Sequence, residues 1–155
     1  MKRIPLTQGQ YALVDDQDFD ELNQFKWCAH WNPNTRSFYA VRGIPLPNGK
    51  QTAERMHRRI LGLKRGDKRQ GDHINHDTRD NRRLNLRIVT NQENHHNQRS
   101  KGYSWDDHSK KYRAGIMANG EYRHLGLYDT TQEARAAYLE AKRIYHPTAP
   151  IATEA

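Results

Sequence analysis

The amino-acid sequence predicts an α+β fold made of small modules. Hydrophobic residues make up only 34% of the 155 residues and charged residues 28%, so each module can bury little apolar area. Short alternating stretches, typical of strands, are separated by Gly, Pro, Asn and Asp. Two Thr-x-x-Glu capping boxes, at Thr90 and Thr130, mark the starts of helices, since Thr and Glu satisfy free backbone N–H groups there.

Residues 1–56 are expected to form a β-rich N-terminal module. Its predicted elements are strand material over residues 4–14 broken at Gly9, a helix over 15–22 with carboxylates in its first turn, and paired strands at 25–27 and 37–41. A short helix over 56–61 follows and ends at Gly62. Trp27, Phe38 and Tyr39 are interpreted as core residues of this module.

The positive charge is concentrated in one block of the chain. There are 26 Lys and Arg against 18 Asp and Glu, which gives a net charge of +8. Residues 50–99 hold thirteen basic and six acidic residues, whereas residues 1–49 hold five of each and residues 100–155 hold eight and seven. A block of this kind is typical of a surface that meets phosphates, so nucleic acid is the expected partner.

The remaining composition excludes several classes. Cys28 is the only cysteine, which excludes a disulfide framework and a cysteine zinc site and fits a reducing compartment. The residues after Met1 lead into a polar stretch, unlike a signal peptide, and no apolar run reaches the length of a membrane span. We therefore expect a cytoplasmic protein with no membrane partner.

The residues with the most informative chemistry lie between Asp72 and Asn97. Hydrolysis of a phosphodiester needs a base that activates water, a cation that stabilises the leaving oxygen, and cationic groups that hold the backbone. The carboxylate of Asp72 and the amide oxygen of Asn94 are hard ligands, suited to one Mg²⁺-like ion that keeps several waters. His73, on the opposite side of an extended segment, is suited to take the proton from water.

This stretch resembles the HNH, or ββα-metal, nuclease motif, in which a helix crosses two short strands joined by a loop. His73, Asn85 and Asn94 fall at the three signature positions, twelve and nine residues apart. The preceding Asp72, the Asn-Leu-Arg before a predicted strand at 84–89, and the capped helix over 91–99 agree with the family in order. The motif is expected to occupy residues 57–99.

The resemblance implies a role for each signature residue. His73 is the general base, Asn85 braces the loop that orients it, and Asp72 and Asn94 bind the metal. The third position is Asn, as in the phage-type homing nucleases, which leaves few nitrogen ligands. One Mg²⁺ ion is therefore expected, with Mn²⁺ as the alternative and Zn²⁺ disfavoured. His57 matches a recurrent upstream element and is interpreted as supporting structure or a backbone contact.

Residues 100–146 predict a three-stranded sheet followed by a helix. The predicted strands are 103–105, 111–117 and 122–128, and Asn119-Gly120 is a strong hairpin signal. The helix that follows Thr130 carries an apolar face, and Pro147 ends it. Its face consists of Ala134, Ala137, Tyr138, Ala141 and Tyr145. Residues 147–155 are expected to be a disordered tail.

The same residues resemble the AP2 DNA-binding domain, in which the sheet lies in the major groove and the helix packs behind it. The resemblance rests on Lys101-Gly102-Tyr103-Ser104-Trp105, Tyr112-Arg113-Ala114-Gly115-Ile116, His124-Leu125-Gly126-Leu127-Tyr128 and Glu133-Ala134. Strand alternation predicts that Tyr112, Ala114, Ile116, Leu125 and Leu127 face the helix. Several positions that hold Arg or Trp in the family are Ser104, Asp106, Tyr122 and His124 here, so the base preference is expected to differ.

The residues expected to contact DNA are basic or polar and come from both modules. They are Arg58, Arg82, Arg83, Arg87, Lys101, Lys111, Arg113, Tyr122 and His124.

These observations predict a metal-dependent DNA endonuclease of the HNH family, of a phage or mobile-element type. It would nick or doubly cut double-stranded DNA as a monomer or homodimer, in bacterial or phage-infected cytoplasm. The alternative is a non-catalytic AP2-type DNA-binding regulator with a remnant HNH scaffold, against which the retention of Asp72, His73 and Asn94 argues. A nuclease that acts on RNA or without specificity is the second alternative.

Overall fold

The computed structural model describes residues 1–97 and 100–148. They form two compact units, residues 1–91 and the described residues from 92 onward, and each unit mixes helices with small antiparallel sheets. This mixture agrees with the predicted α+β class. Of the predicted tail, residues 149–155 lie outside the described part of the chain. No helix in the described ranges is long and apolar enough to cross a membrane.

The first unit contains seven strands in three small sheets. Its elements are β1 (Lys2–Pro5), β2 (Tyr11–Val14), α1 (Asp16–Leu22), β3 (Cys28–Asn32), β4 (Ser37–Pro45), β5 (Gln51–Arg55), α2 (Met56–Ile60), β6 (Gln70–His73), a 3₁₀ turn at Arg83–Asn85 and β7 (Leu86–Val89). β1 pairs with β2, β3-β4-β5 form a three-stranded sheet, and β6 pairs with β7. All pairings within these sheets are antiparallel.

One hydrophobic cluster holds the first unit together. It includes Ile4 and Val14 from the first sheet, Trp27, Met56 at the start of α2, and Leu86 of β7. A two-stranded sheet is too small to bury its own apolar face, so each sheet needs the others to complete a core. Residues 1–56, predicted as a separate module, therefore share their core with α2 and with Leu86 of β7.

Two strands of the first unit differ from the sequence prediction. The predicted strand at 25–27 is wrong, because Trp27 turns into the core at 1% exposure and its Nε1 donates to Leu22 O at 2.9 Å. The strand β3 begins at the next residue. The strand β5 was not predicted: a turn was expected up to Lys50, and no element was assigned to the residues that follow it. The strand is mostly polar and its alternate residues are only half-buried, so it lacks the hydrophobic alternation that predicts a strand.

The second unit carries a helix, a three-stranded sheet and a longer helix. Its elements are α3 (Asn91–His96), whose first residue still belongs to the first unit, β8 (Tyr103–Asp106), β9 (Lys111–Ala118), β10 (Glu121–Tyr128) and α4 (Thr131–Tyr145). The sheet order is β10-β9-β8. Within this unit the rings of His96 and His146 stack at 4.0 Å, and His146 Nε2 donates to Met117 O at 2.7 Å. Most of α3 thus groups with the sheet that follows it.

The hairpin and helix predicted for this unit are confirmed. Asn119 and Gly120 have φ angles of 53° and 82°, as the tight turn between β9 and β10 requires. Thr130 Oγ1 accepts from Glu133 N at 3.2 Å, and Thr130 N donates back to the Glu133 carboxylate at 3.1 Å, which completes the capping box of α4. Tyr138 is among the residues of α4 buried against the sheet.

One face assignment in the second sheet is wrong. Leu127 was predicted to face α4, but it pairs with Arg113 on the opposite face and is 41% exposed. The pairing shifts by one residue between His124 and Gly126, so Leu125 is an extra residue in β10. A bulge of this kind reverses the alternation beyond it, which places Leu127 on the open face.

Candidate active site

The strand pair β6–β7 holds Asp72 and His73 at its end. Asp72 lies opposite Arg87, and His73 lies opposite Leu86. Alternation along β6 sends the two neighbouring side chains to opposite faces, as predicted. Both are nearly inaccessible, at 8% and 5% exposure. Arg87 donates from Nε to Asp72 Oδ2 at 2.9 Å, and its NH2 lies 2.8 Å from the same oxygen, so the carboxylate is held in place by a cation.

Asn81 contacts the ring of His73 directly. Its Oδ1 lies 3.3 Å from His73 Nε2. The amide orientation is fixed because Asn81 Nδ2 donates to Arg79 O at 3.1 Å, which turns the oxygen toward the histidine. An amide oxygen only accepts, so Nε2 carries the proton and Nδ1 carries the lone pair of neutral His73. The ring is thereby held in the tautomer that a general base acting through Nδ1 needs.

The loop that carries Asn81 is attached to the first sheet. Asn81 N donates to Leu13 O, and Leu13 N donates to Arg79 O, both at 2.8 Å. The side chain of Asn81 is among the largest that are fully buried, with 1% exposure. Two backbone bonds and full burial leave the amide little freedom. The contact between Asn81 and His73 therefore depends on β2, which lies about seventy residues before Asn81 in the chain.

Asn85 braces the same loop from the other side. Its Oδ1 accepts from Asn75 N at 2.9 Å, and its Nδ2 donates to Asp80 O at 2.7 Å. Its backbone oxygen accepts from Ile74 N at 2.9 Å. The side chain thus links both ends of the loop that follows His73. This is the position that the HNH resemblance assigns to Asn85, and its effect on catalysis stays a prediction.

A second histidine packs on the ring of His73. The His57 ring lies edge-to-face on it, with 4.8 Å between centroids, and Tyr39 contacts both rings at 5.8 and 6.1 Å. Gly71 makes room for this packing, because a Cβ there would lie 2.6 Å from His57 Cδ2 and 3.0 Å from Leu61 Cδ1. His57, interpreted from the sequence as supporting structure, therefore supports His73 itself.

Burial keeps both histidines neutral. Desolvation lowers the pKa of His57 well below its usual value of 6.5, and the charges of His73, Arg55 and Arg58 lower it further. Desolvation also lowers the pKa of His73, although the hydrogen bond to Asn81 and the nearby carboxylates, Asp72 first among them, oppose the change. A lowered pKa means that the neutral form, which can accept a proton, persists to a lower pH than in an exposed histidine.

The arginines predicted to contact DNA in this unit are held by other groups of the protein. Arg82 pairs with Asp80 at 2.6 Å and Arg83 pairs with Asp18 at 2.7 Å, and the hydrogen bonds that they donate to these carboxylates raise the pKa of both guanidinium groups. The two side chains are still 40% and 50% exposed. A guanidinium has five donors, so a half-exposed one can hold a carboxylate and still meet a phosphate.

In the second unit, strand pairing places four predicted DNA-contact residues on the open face of the sheet, away from α4. They are Lys111, Arg113, Tyr122 and His124. Arg113 pairs with Asp106 at 2.8 Å and Lys111 with Asp129 at 3.1 Å, while Tyr122 is 58% exposed. The Tyr122 ring lies over Gly115, where a Cβ would meet its hydroxyl at 2.0 Å. Lys101 is exposed just before β8, and Asn94 is half-buried on α3.

No role beside His73 was predicted from the sequence for Asn81 or Tyr39, which the structure places in contact with the His73 ring. Asn81 lies between His73 and Asn85 in the sequence, and its residue type was the available signal. Tyr39 was interpreted as core, and no local pattern relates it to His73, which lies on another sheet.

The comparisons with known proteins point to the same region. No curated protein and no solved structure matched the chain. A family model described as HNH endonuclease matches residues 54–96, which is less than a third of the 155 residues. The matched segment runs from β5 through α2, β6 and β7 to the end of α3, so it contains His57, Asp72, His73, Asn81 and Asn85. This match supports an HNH nuclease domain in that part of the chain.

Proposed function

We propose that the protein is a metal-dependent endonuclease that hydrolyses phosphodiester bonds of double-stranded DNA. The observation that carries the proposal is the buried His73, held beside Asp72 and fixed through Asn81 within the segment that matches HNH endonucleases. A neutral, oriented imidazole next to a carboxylate is the arrangement that base-catalysed attack of water on a phosphodiester requires. The proposal extends to the phage or mobile-element type of HNH nuclease, because the sequence of the sheet that follows the motif resembles the AP2 domain.

In this proposal His73 accepts the proton of the attacking water on Nδ1. Asn81 keeps the opposite nitrogen protonated, and Asn85 holds the loop in which Asn81 lies. Arg82 and Arg83 hold the DNA backbone through the donors that remain exposed beyond their carboxylate partners. Each of these groups is positioned before the substrate binds, so little reorganisation is needed in the transition state.

The side chains present suit a hard divalent cation such as Mg²⁺ or Mn²⁺. Asp72 supplies a carboxylate, and the resemblance assigns Asn94 as the amide ligand. Among residues 1–97 and 100–148, no three His, Cys, Asp or Glu side chains cluster closely enough to hold a metal. A carboxylate and an amide oxygen are donors that suit an ion that keeps most of its water better than they suit a closed zinc site. When bound, the ion would stabilise the charge on the leaving oxygen.

The sheet β8–β10 is proposed to select the site. Its open face presents Arg113, Tyr122 and His124 on strands of a width that the major groove admits. Arg113 is bound to Asp106, a pair that lowers the pKa of the carboxyl group, so base contacts would have to share this guanidinium. This face is also what a non-catalytic regulator would use, and cleavage is what distinguishes the two functions.

Incubation of the full chain with supercoiled plasmid tests the proposal. We expect conversion to nicked or linear DNA with Mg²⁺ and none with EDTA, and the ratio of the two products reports whether one strand or both are cut. Plasmid that is bound but left intact at every metal concentration would favour the regulator instead. An RNA of the same sequence serves as the control substrate and should remain uncut.

A further prediction concerns the packing between His57 and His73. Gly71→Ala places a methyl group against the His57 ring, which is 3% exposed and has no room to move away. We expect a folded protein destabilised by about 1–3 kcal/mol. Cleavage should fall by a factor on the order of 10 or more, because small misplacements of a catalytic group are costly. Affinity for DNA should not change, which separates a positioning effect from lost binding.

The matched control is Gly43→Ala, a glycine on β4 of the same unit. A Cβ there meets only the end of the Gln51 side chain, at 3.0 Å, and this side chain is flexible and exposed. The control should cleave at the wild-type rate. Wild-type cleavage by the folded Gly71 variant would mean that the His57 ring does not position His73.

A further inference from the structure

A groove with an apolar floor and a basic rim opens on the first unit. We define this basic groove by Val41, Ile44 and Leu63 on its floor and by Arg55, Lys64 and Arg65 on its rim. It encloses a cavity of about 660 Å³ between β4, β5, the end of α2 and the segment that follows α2. Arg55, Lys64 and Arg65 are all exposed.

The negative charges that line the groove are already compensated by the protein. Glu54 pairs with Arg42 at 2.5 Å and with Arg59 at 3.5 Å. Asp67 pairs with Arg69 at 2.8 Å, and the hydrogen bonds from Arg69 lower the pKa of Asp67 to about 2. Within the part of the chain that the structure describes, Lys64, Arg65 and Arg55 have no carboxylate partner. The groove therefore presents a net positive rim.

The wall that carries Lys64 and Arg65 is held rigidly by Arg58. Its NH2 donates to Lys64 O at 3.0 Å and to Asp67 O at 3.5 Å, and its NH1 donates to Arg69 O at 3.2 Å. The neighbouring Leu63 is buried, at 6% exposure. Arg58, predicted as a DNA contact, thus donates these hydrogen bonds to backbone carbonyls of the protein. The backbone that carries Lys64 and Arg65 is therefore held in place and need not become ordered when a ligand binds.

The groove lies next to the proposed general base. The guanidinium of Arg55 on its rim lies 4.9 Å from the centre of the Tyr39 ring. The same ring contacts the rings of His57 and His73, the latter at 6.1 Å. One ring, that of Tyr39, therefore lies between the rim residue Arg55 and His73.

We propose that the basic groove binds the sugar-phosphate backbone of the DNA beside the bond that is cut. This inference rests on the proposed function. Arg55, Lys64 and Arg65 would pair with successive phosphates, and the deoxyribose rings would lie on the apolar floor. None of these contacts reads a base, so the groove supplies affinity and register without sequence preference.

The test is a salt titration of DNA binding in EDTA, with a fluorescent duplex of about 25 base pairs and the Lys64→Ala/Arg65→Ala double variant of the full chain. Both side chains are exposed, so the fold is not at stake. We expect affinity to fall about tenfold near physiological salt. The slope of log K against log salt should become shallower by about 1.8, since each lost phosphate contact contributes about 0.9. Unrelated duplexes should show the same loss.

The matched control is Lys26→Ala/Arg36→Ala, which removes two exposed charges from the same unit outside the groove. The inference is overturned if the groove variant and this control have the same affinity and slope. It is also overturned if the loss depends on DNA sequence, because that indicates base reading. Failure of the proposed function is a separate result. If the wild-type protein binds duplex in EDTA with the expected slope but never cleaves it, the inference about the groove stands and the nuclease proposal is wrong.

Discussion

Replacement of His73 by alanine should abolish cleavage while DNA binding remains. Loss of a positioned general base costs on the order of 10²–10⁴ in rate. His73 is 5% exposed and has no donor on the outer surface to offer a phosphate, so its removal should change affinity little. Single-turnover cleavage of a labelled duplex measures the first effect, and anisotropy in EDTA measures the second.

The matched control for this variant is His108→Ala. His108 is an exposed histidine in the turn between β8 and β9, and only its backbone N–H binds Asp106. The His73 variant leaves a gap beside the ring of His57, so circular dichroism and thermal melting must accompany the rate measurement. Cleavage by a folded His73→Ala protein at the rate of the control would remove His73 from the mechanism and the HNH assignment with it.

The motif could be read from the sequence because its parts are local. Asp72 and His73 are adjacent on β6, and Asn85 follows twelve residues after the histidine at the end of the same loop. Strand alternation alone places the two side chains of β6 on opposite faces. The spacing of Asp72, His73 and Asn85 therefore predicted where each of them lies at the end of this hairpin.

The support around His73 could not be predicted, because it comes from distant parts of the chain. Asn81 is held by the backbone of Leu13, and Tyr39 reaches the ring from β4. Local sequence patterns do not predict which sheets pack against each other. From the sequence, His57 could be interpreted only as a recurrent upstream element. Gly71 permits the contact between His57 and His73 because it has no side chain, and no sequence pattern indicates this.

Alternation misled the prediction in the second sheet for a related reason. A period of two holds along a strand only while the pairing stays in register. The extra residue at Leu125 breaks it, and the faces of β10 reverse from there to Leu127. The bulge precedes Gly126, whose φ of 140° lies in a region that side chains rarely adopt. A Gly within a strand often marks a bulge, so Gly126 was the feature of the sequence that indicated this irregularity.

The metal requirement gives the second large expected effect. Asp72→Asn keeps the size of the side chain and leaves an oxygen for Arg87, but it removes the negative charge that a divalent cation needs. We expect cleavage to fall by a factor on the order of 10³, because the leaving oxygen loses its stabilisation. Asp20→Asn, an exposed carboxylate on α1, is the matched control and should cleave normally.

Asn94→Ala should produce a milder loss of the same kind. An amide oxygen is a weaker ligand than a carboxylate, so excess Mg²⁺ should partly restore cleavage by this variant and not by Asp72→Asn. The measurement is the cleavage rate as a function of Mg²⁺ concentration for both variants and the wild type. A shift of the Asn94 curve to higher Mg²⁺ with an unchanged plateau identifies a ligand. A lowered plateau with an unchanged midpoint would instead assign Asn94 to substrate binding or to structure and would remove it from the proposed metal site.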